Sequence, residues 1–290
     1  MADWGSMAGI VKNTLALLRA PGNAVAFTVR SRVRWSRGKA ELQNESKERL
    51  FDHLPTPRWA EAGAEEQRMC ADYGLDALRA RSTCLVYAEN LAVLEAMERA
   101  CDGMELPVGP DGALRAADVG CGVFQYATAL QRFLAQGGTG APRRAILRGI
   151  EIDGHGVYAD GHSRADYARA HVVLAGDDAH FQVGDFTALP IPEQDMVTMW
   201  FPFVERYALL QWGLPLSLFD PTRLVERAVA TVRPGGLLFV ANQTEHEAET
   251  IQAMLRSMPT EHVRTVSIAT DLVPYAEKTA GRIASVWRRC

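Results

Sequence analysis

Ala117-Asp118-Val119-Gly120-Cys121-Gly122 is the stretch on which the reading of this chain turns. A short β-prone run, Ala116–Val119, leads through two glycines into a helix-forming segment, Phe124–Gln136. A chain that leaves a strand and enters a helix within a few residues needs conformations that glycine adopts at least cost. Without a Cβ, the backbone can also come close to a nucleotide-like ligand, and a carboxylate beside it can hold an ammonium group. Turns of this kind recur in many α/β folds, so its meaning depends on what lies on either side.

Downstream, short β-rich runs alternate with helical ones, the pattern of a parallel sheet with crossover helices. The strand candidates are Ala116–Val119, Leu147–Ile152, Phe181–Val183, Met196–Phe201 and Leu237–Ala241. Helical segments fall near Phe124–Gln136, Val157–Leu174 and Pro221–Val232. Two further runs, Val263–Thr270 and Arg282–Arg288, are joined by a connection too short for a crossover helix, so they are expected to pair antiparallel.

Upstream, strand patterning is absent. Ile10, Val11, Leu15, Leu17 and Leu18 are spaced for one face of a short helix that Pro21-Gly22 would end. Val25–Trp35 fits helix or strand. Leu50–Pro57 reads as loop, Glu61–Arg81 as helix from its Ala, Glu, Arg and Leu content, and Tyr87–Cys101 as a helix with a stripe of Leu91, Val93, Leu94 and Met97. The expected division is a helical N-terminal extension or cap over residues 1–85 and an α/β domain over 86–290.

Of the 290 residues, 48% are hydrophobic and 23% charged, ordinary values for a globular chain. The five cysteines are odd in number and include no C-x-x-C pair, which argues against a disulfide framework or a zinc ribbon and for the reducing cytoplasm. No run of 18 uncharged apolar residues is present, so no membrane span is expected. The net charge of −4 divides into +6 over residues 1–39 and −10 over the remainder. An acidic body argues against nucleic acid as partner. The basic N-terminal arm is read first as a solvated face, with peripheral contact to phosphate or an anionic membrane as the other option.

Four further segments carry chemistry. Gly149-Ile150-Glu151-Ile152-Asp153 ends the second strand in a carboxylate, 33 positions after Asp118, one βαβ unit on. An acid there is placed to accept from both hydroxyls of a ribose. Val183-Gly184-Asp185-Phe186 offers an acid for an adenine amino group and an aromatic ring to cover the base. Asp195 leads a buried strand ending in Trp200-Phe201-Pro202-Phe203, and Arg233-Pro234-Gly235-Gly236 precedes the apolar run Leu237–Val240.

In order and spacing these segments resemble the successive motifs of class I S-adenosylmethionine (SAM)-dependent methyltransferases, over about Tyr87 to Arg289. The resemblance implies an α/β fold: a seven-stranded, mostly parallel sheet with helices on both faces and an antiparallel last strand. It implies a Rossmann-like transferase using SAM and releasing S-adenosylhomocysteine. Asp118, Gly120 and Gly122 would lie at the methionine end, Glu151 and Ile152 at the ribose, Asp185 and Phe186 at adenine, with Trp200 also against the cofactor. Phe124 stands where the family usually has a third glycine. A dinucleotide fingerprint would need glycine at position 125, and Gln125 is there.

In such enzymes the acceptor site lies beyond the fourth strand. The Asn/Asp-Pro-Pro-aromatic motif of enzymes that methylate amino groups of adenine or glutamine is replaced here by Trp200-Phe201-Pro202-Phe203. Phe203, Tyr207 and Trp212, with Tyr87 from the helix before the sheet, are the expected acceptor wall. The expected substrate is a small, apolar or aromatic molecule methylated on oxygen or nitrogen. His155, His246 and Glu205 are the base candidates. Arg79 and Arg81 are placed to meet the cofactor carboxylate or the acceptor if the N-terminal segment caps the site. The His155, Asp160, His162, Asp166 group is a His/Asp cluster, but glycines at 156 and 161 weaken a shared helix face and no metal is assigned. The alternative function is a non-catalytic methyltransferase-like subunit that binds SAM or a partner; the reading leaves room for a homodimer.

Overall fold

The computed structural model describes residues 17–290. The helix expected around Ile10–Leu18 lies almost wholly outside the described residues. Seven strands form one sheet: β1 (Leu114–Val119), β2 (Ala145–Glu151), β3 (Ala179–Val183), β4 (Gln194–Trp200), β5 (Val232–Asn242), β6 (Thr260–Ser267) and β7 (Ile283–Arg289). Their spatial order is β3-β2-β1-β4-β5-β7-β6. The first five pair in parallel, and β7 runs antiparallel to both β5 and β6. The central strands are buried on both faces, which explains their unbroken apolar runs.

Period-two alternation assigns side chains to two cores. Ala116, Leu147, Met196, Phe239 and Val286 face one, packed by α4 (Cys84–Ala100) and α5 (Ala127–Gln136). Ala117, Ile150, Val197, Leu238 and Trp287 face the other, packed by α8 (Pro221–Thr231) and α9 (Glu245–Arg256). Helix starts follow local capping chemistry. The Thr83 hydroxyl accepts from Val86 N at α4, and Asp220 caps α8 with Pro221 in the first turn. Ser163 and Asp166 form a capping box that sets the start of α6 (Arg164–Ala175). That box, with Gly161 at φ 85°, is why α6 begins after the Val157 start expected from composition. Phe124, at φ 54°, likewise delays α5 to Ala127. Helix α9 had its own signal in Thr244-x-x-Glu247, which the strand-centred reading passed over.

Four elements precede or flank this frame. α1 (Ala20–Val33) settles the helix-or-strand alternative as helix, and Pro21 opens it, where a missing N–H costs nothing. α2 (Trp59–Tyr73) and α3 (Asp76–Ala80) divide the expected Glu61–Arg81 helix at Gly74, which is left-handed at φ 62°. Met69, Tyr73, Leu75 and Leu78 share one core cluster with Leu91, Leu94 and Phe133. α7 (Arg206–Gln211) follows β4. Among the described residues, no helix is long and apolar enough to cross a membrane.

α1 buries none of its residues and is held by polar contacts instead. Asn23 Nδ2 donates to the carbonyls of Leu210 (2.9 Å) and Leu214 (3.1 Å). Arg30 pairs through Nε with Asp153 (2.5 Å) and donates through Nη2 to Gly213 O (2.8 Å). Arg30, counted in the basic arm, is therefore spent inside the molecule.

The turn after β1 shows how this chain manages without the third glycine. Phe124 carries its ring into the core with no exposure, and Gly149 on β2 makes the room: a Cβ there would stand 2.5 Å from two Phe124 ring carbons and 3.0 Å from Cys121 Sγ. Gly149→Ala should therefore destabilise the fold by about 1–3 kcal/mol through overpacking. Urea unfolding of Gly149→Ala and of Gly149→Ala/Phe124→Leu is the measurement; the double variant should recover part of the loss. Wild-type stability in the single variant would remove this account of the turn.

Candidate functional site

In an open parallel sheet, ligands settle beyond the carboxyl ends of the strands, where the strand order reverses. A cavity of about 720 Å³ lies there, within the range of small-molecule sites. Its floor is the turn after β1. Gly120 (φ 76°) and Gly122 (φ 60°) are both left-handed, and nothing stands within 4 Å of the position a Gly120 Cβ would take. Gly120 N donates to Ile150 O (2.8 Å), tying the turn to β2.

Glu151, 3% exposed, lies at the edge of that floor. Its Oε2 accepts from Gly122 N (2.9 Å) and its Oε1 from Asp153 N (2.8 Å). The Arg164 guanidinium lies 3.5 Å from Glu151 and 3.3 Å from Asp153, so two buried acids share two arginines, Arg164 and Arg30. Each oxygen of Glu151 keeps acceptor capacity toward the cavity. Ile152, Asp185 and Phe186 continue this rim. Asp185 Oδ1 accepts from both the amide and the hydroxyl of Thr187 (2.8 Å each), which sets the carboxylate's orientation.

The opposite half is aromatic. Trp200 packs against Phe239 (4.8 Å between centroids), Tyr126 (5.9 Å) and Phe201 (6.2 Å), and Phe203 against Trp212 (6.0 Å). Phe201 lines the cavity in left-handed geometry, at φ 56°. Such conformations cost on the order of 1–3 kcal/mol and persist where surrounding structure imposes them. Here Phe201 N is bonded to Ala241 O (2.8 Å) at the end of β5.

Several expected residues meet the cavity: Gly120, Gly122, Glu151, Ile152, Asp185, Phe186, Trp200, Phe203 and Trp212. Others do not. Asp118 is fully buried beneath the floor, where its oxygens accept from Thr198 Oγ1 (2.5 Å) and Tyr126 OH (2.7 Å). It holds the turn rather than facing a ligand. Tyr87 is fully buried and donates to Glu66 (2.7 Å), so it belongs to the core and not to the acceptor wall. Arg79 pairs with the same Glu66 (3.0 Å), and Arg81 is exposed away from the cavity. Tyr207 and the three base candidates are also off its lining: Glu205 and His246 are exposed at the first turns of α7 and α9, and His155 follows the Glu151 loop. Asp160 and Asp166, of the His/Asp group, are engaged by His162 and by the Ser163 capping box.

In their place the cavity gains residues that periodicity could not bring together. Glu89 of α4 faces it, with Tyr275 OH donating to Oε1 (2.7 Å) and Gln125 Nε2 to Oε2. Burial pushes this carboxyl above its ordinary range, against the opposing pull of Tyr275 and Arg282. The only prior signal for Glu89 was an acid on the otherwise apolar face of the helix before β1.

Asp118 gives the site a pH signature. Burial pushes its carboxyl up from 3.8 to about 7, outweighing the Thr198 and Tyr126 hydrogen bonds. Between these values the folded chain holds a proton that the unfolded chain has released. This contribution to stability is full below about pH 4 and declines as pH rises to about 7. Asp118→Asn, which keeps one donor and one acceptor for Thr198 and Tyr126, should flatten that decline. Guanidinium unfolding at pH 4.5 and pH 7 measures it; an unchanged slope in the variant would refute the assignment.

No protein-family model matches the chain, and no curated protein matches it. Among solved structures it is similar to a SAM-dependent methyltransferase from Aquifex aeolicus, with 14% identity, TM-score 0.47, and coverage of 69% of this chain and 93% of that one. It is also similar to a TehB-like SAM-dependent methyltransferase from Corynebacterium glutamicum, with 14% identity, TM-score 0.42, and coverage of 81% and 100%. A third is N-methyltransferase NodS from Bradyrhizobium japonicum in complex with S-adenosylhomocysteine, with 12% identity, TM-score 0.43, and coverage of 79% and 97%. The observed sheet of seven strands, five parallel and β7 antiparallel between β5 and β6, is the architecture that the motif resemblance implies.

Proposed function

We propose that this chain is a SAM-dependent methyltransferase acting on a small acceptor with an apolar or aromatic body. One observation carries the reading: Gly120, Gly122, Glu151, Ile152, Asp185 and Phe186, six of the eight residues the family motifs assign to the cofactor, line one end of a single cavity whose other end is aromatic. The residues fit the group. The turn at Gly120 is open where a Cβ would block approach, Glu151 retains acceptor capacity for ribose hydroxyls, and Asp185 lines the cavity beside Phe186, whose ring is buried against Arg227.

With SAM bound, the chemistry supplied is an electrophilic methyl group on a sulfonium. The protein's part is to hold the acceptor in line and keep water out. Trp200, Phe201, Phe203 and Trp212 would press the acceptor toward the cofactor end. Glu89 is the carboxylate placed to take the proton that an oxygen or nitrogen acceptor loses, and its raised affinity for a proton suits that task. α1 acts in this reading as a brace. Arg30 ties Asp153, beside the ribose-binding acid, to Gly213, beside Trp212, and so sets the width of the cavity.

Isothermal titration with SAM and with S-adenosylhomocysteine tests the reading. Wild type should bind both, and Glu151→Ala should weaken them at least tenfold, a loss of about 1.4 kcal/mol or more. Absence of binding by either compound would defeat the proposal.

A further inference from the structure

Two residues that line one end of the cavity each carry a buried side-chain nitrogen with no hydrogen-bond partner among the described residues: Trp200 Nε1 and Arg282 Nε. The strand register brings them to one face of the sheet. Trp200 pairs with Ala241 and Ala241 with Ala284, and Arg282 lies two residues before Ala284, so alternation puts it on the face of Trp200. Both are donors. A buried donor left without a partner costs on the order of 1–3 kcal/mol, so one such group calls for an explanation, and two at one wall call for a common one.

Arg282 brings a cation to this end. The Arg282 guanidinium is wedged between two aromatic faces, 4.8 Å from the Phe201 centroid and 5.7 Å from that of Tyr275, and it lines the cavity. These contacts fix the planar group. Glu89 lies within reach of its field and accepts from Tyr275 and Gln125, and among the described residues no ion pair joins it to the guanidinium. Arg282 precedes β7, three strands from β1 in the sheet, which is roughly 14 Å from the glycine turn at the usual interstrand spacing. That distance separates it from the end assigned to the cofactor.

We propose that Arg282 and the Trp200 indole N–H form an oxyanion subsite for the acceptor, so that the substrate of this enzyme carries a carboxylate or phosphate on its apolar body. The assignment rests on the methyltransferase reading for which ligand the subsite serves, and on the orphaned donors for its existence. It sharpens the sequence expectation of a merely apolar acceptor: the aromatic wall holds the body, and the guanidinium selects molecules with an anionic end.

The test titrates benzoate, phenyl phosphate and the neutral isostere benzamide into wild type, Arg282→Gln and Trp200→Phe, each with and without saturating S-adenosylhomocysteine. The expected result is that benzoate or phenyl phosphate binds wild type at least tenfold more tightly than benzamide, and which of the two is preferred identifies the anion. Arg282→Gln should lose that preference while its affinity for S-adenosylhomocysteine stays within twofold. Trp200→Phe keeps the ring and loses one donor, so it should weaken the anions about fivefold; it also serves if Arg282→Gln fails to fold. Equal binding of benzoate and benzamide, or no anion binding by wild type, would overturn the subsite. A drop in S-adenosylhomocysteine affinity in Arg282→Gln would also overturn it, since the guanidinium would then serve the cofactor carboxylate. Failure of wild type to bind S-adenosylhomocysteine, with Arg282-dependent benzoate binding intact, would refute the methyltransferase reading and support the subsite.

Discussion

Two buried carboxyl groups grip the turn after β1 from opposite sides. Asp118 lies beneath it, bonded to Thr198 of β4 and to Tyr126 at the entrance to α5. Glu151 lies beside it, bonded to the Gly122 amide. The turn passes through left-handed geometry at Gly120, Gly122 and Phe124 in quick succession. Left-handed backbone is costly for a side-chain-bearing residue such as Phe124, and the surrounding bonds hold it in place. The position of the cavity floor, the start of α5 and the room left at Gly149 all follow from that grip.

Buried acids need compensation, and its source links the N-terminal segment to the site. Glu151 and Asp153 are nearly inaccessible, so an uncompensated pair of charges there would be strongly unfavourable. Arg164, at the first position of α6, and Arg30 of α1 supply the counter-charge. α1 has no buried apolar face of its own, yet it is joined to the body through Arg30 and Asn23. An arginine that a charge count assigns to a solvated arm is thereby an internal structural group. The two ends of the cavity then differ in what they offer: acceptors at Glu151 and Asp185, and the Arg282 guanidinium between aromatic rings, with Glu89 near it.

Six of the seven strands were legible in the sequence to within three residues, as was the antiparallel closing pair, because β-prone runs bounded by turns are local patterns; β5 begins at Val232, five residues before the expected Leu237, and takes in the Arg233–Gly236 stretch read as a turn. The helix starts at Arg164 and Glu245 were written locally too, as Ser163-x-x-Asp166 and Thr244-x-x-Glu247. The candidate bases were not legible. His155, His246 and Glu205 follow strand ends, as site residues in such sheets often do, but a strand end fixes only where the backbone goes. Two of them point to solvent and none lines the cavity. Tyr87 failed for a related reason: its face of α4 turns into the core formed with α2 and α3.

The sequence alone determined the α/β class, the strand sequence and the residues of the glycine turn and the acidic strand ends, since each depends on groups close together in the chain. Tertiary structure alone decided that Asp118 is a buried brace, that Gly149 exists to accommodate Phe124, and that Glu89, Tyr275 and Arg282 meet at one wall. Glu89 and Tyr275 are 186 positions apart. Pairing over that separation is set by how whole elements stack and by strand order, quantities that no local spacing encodes.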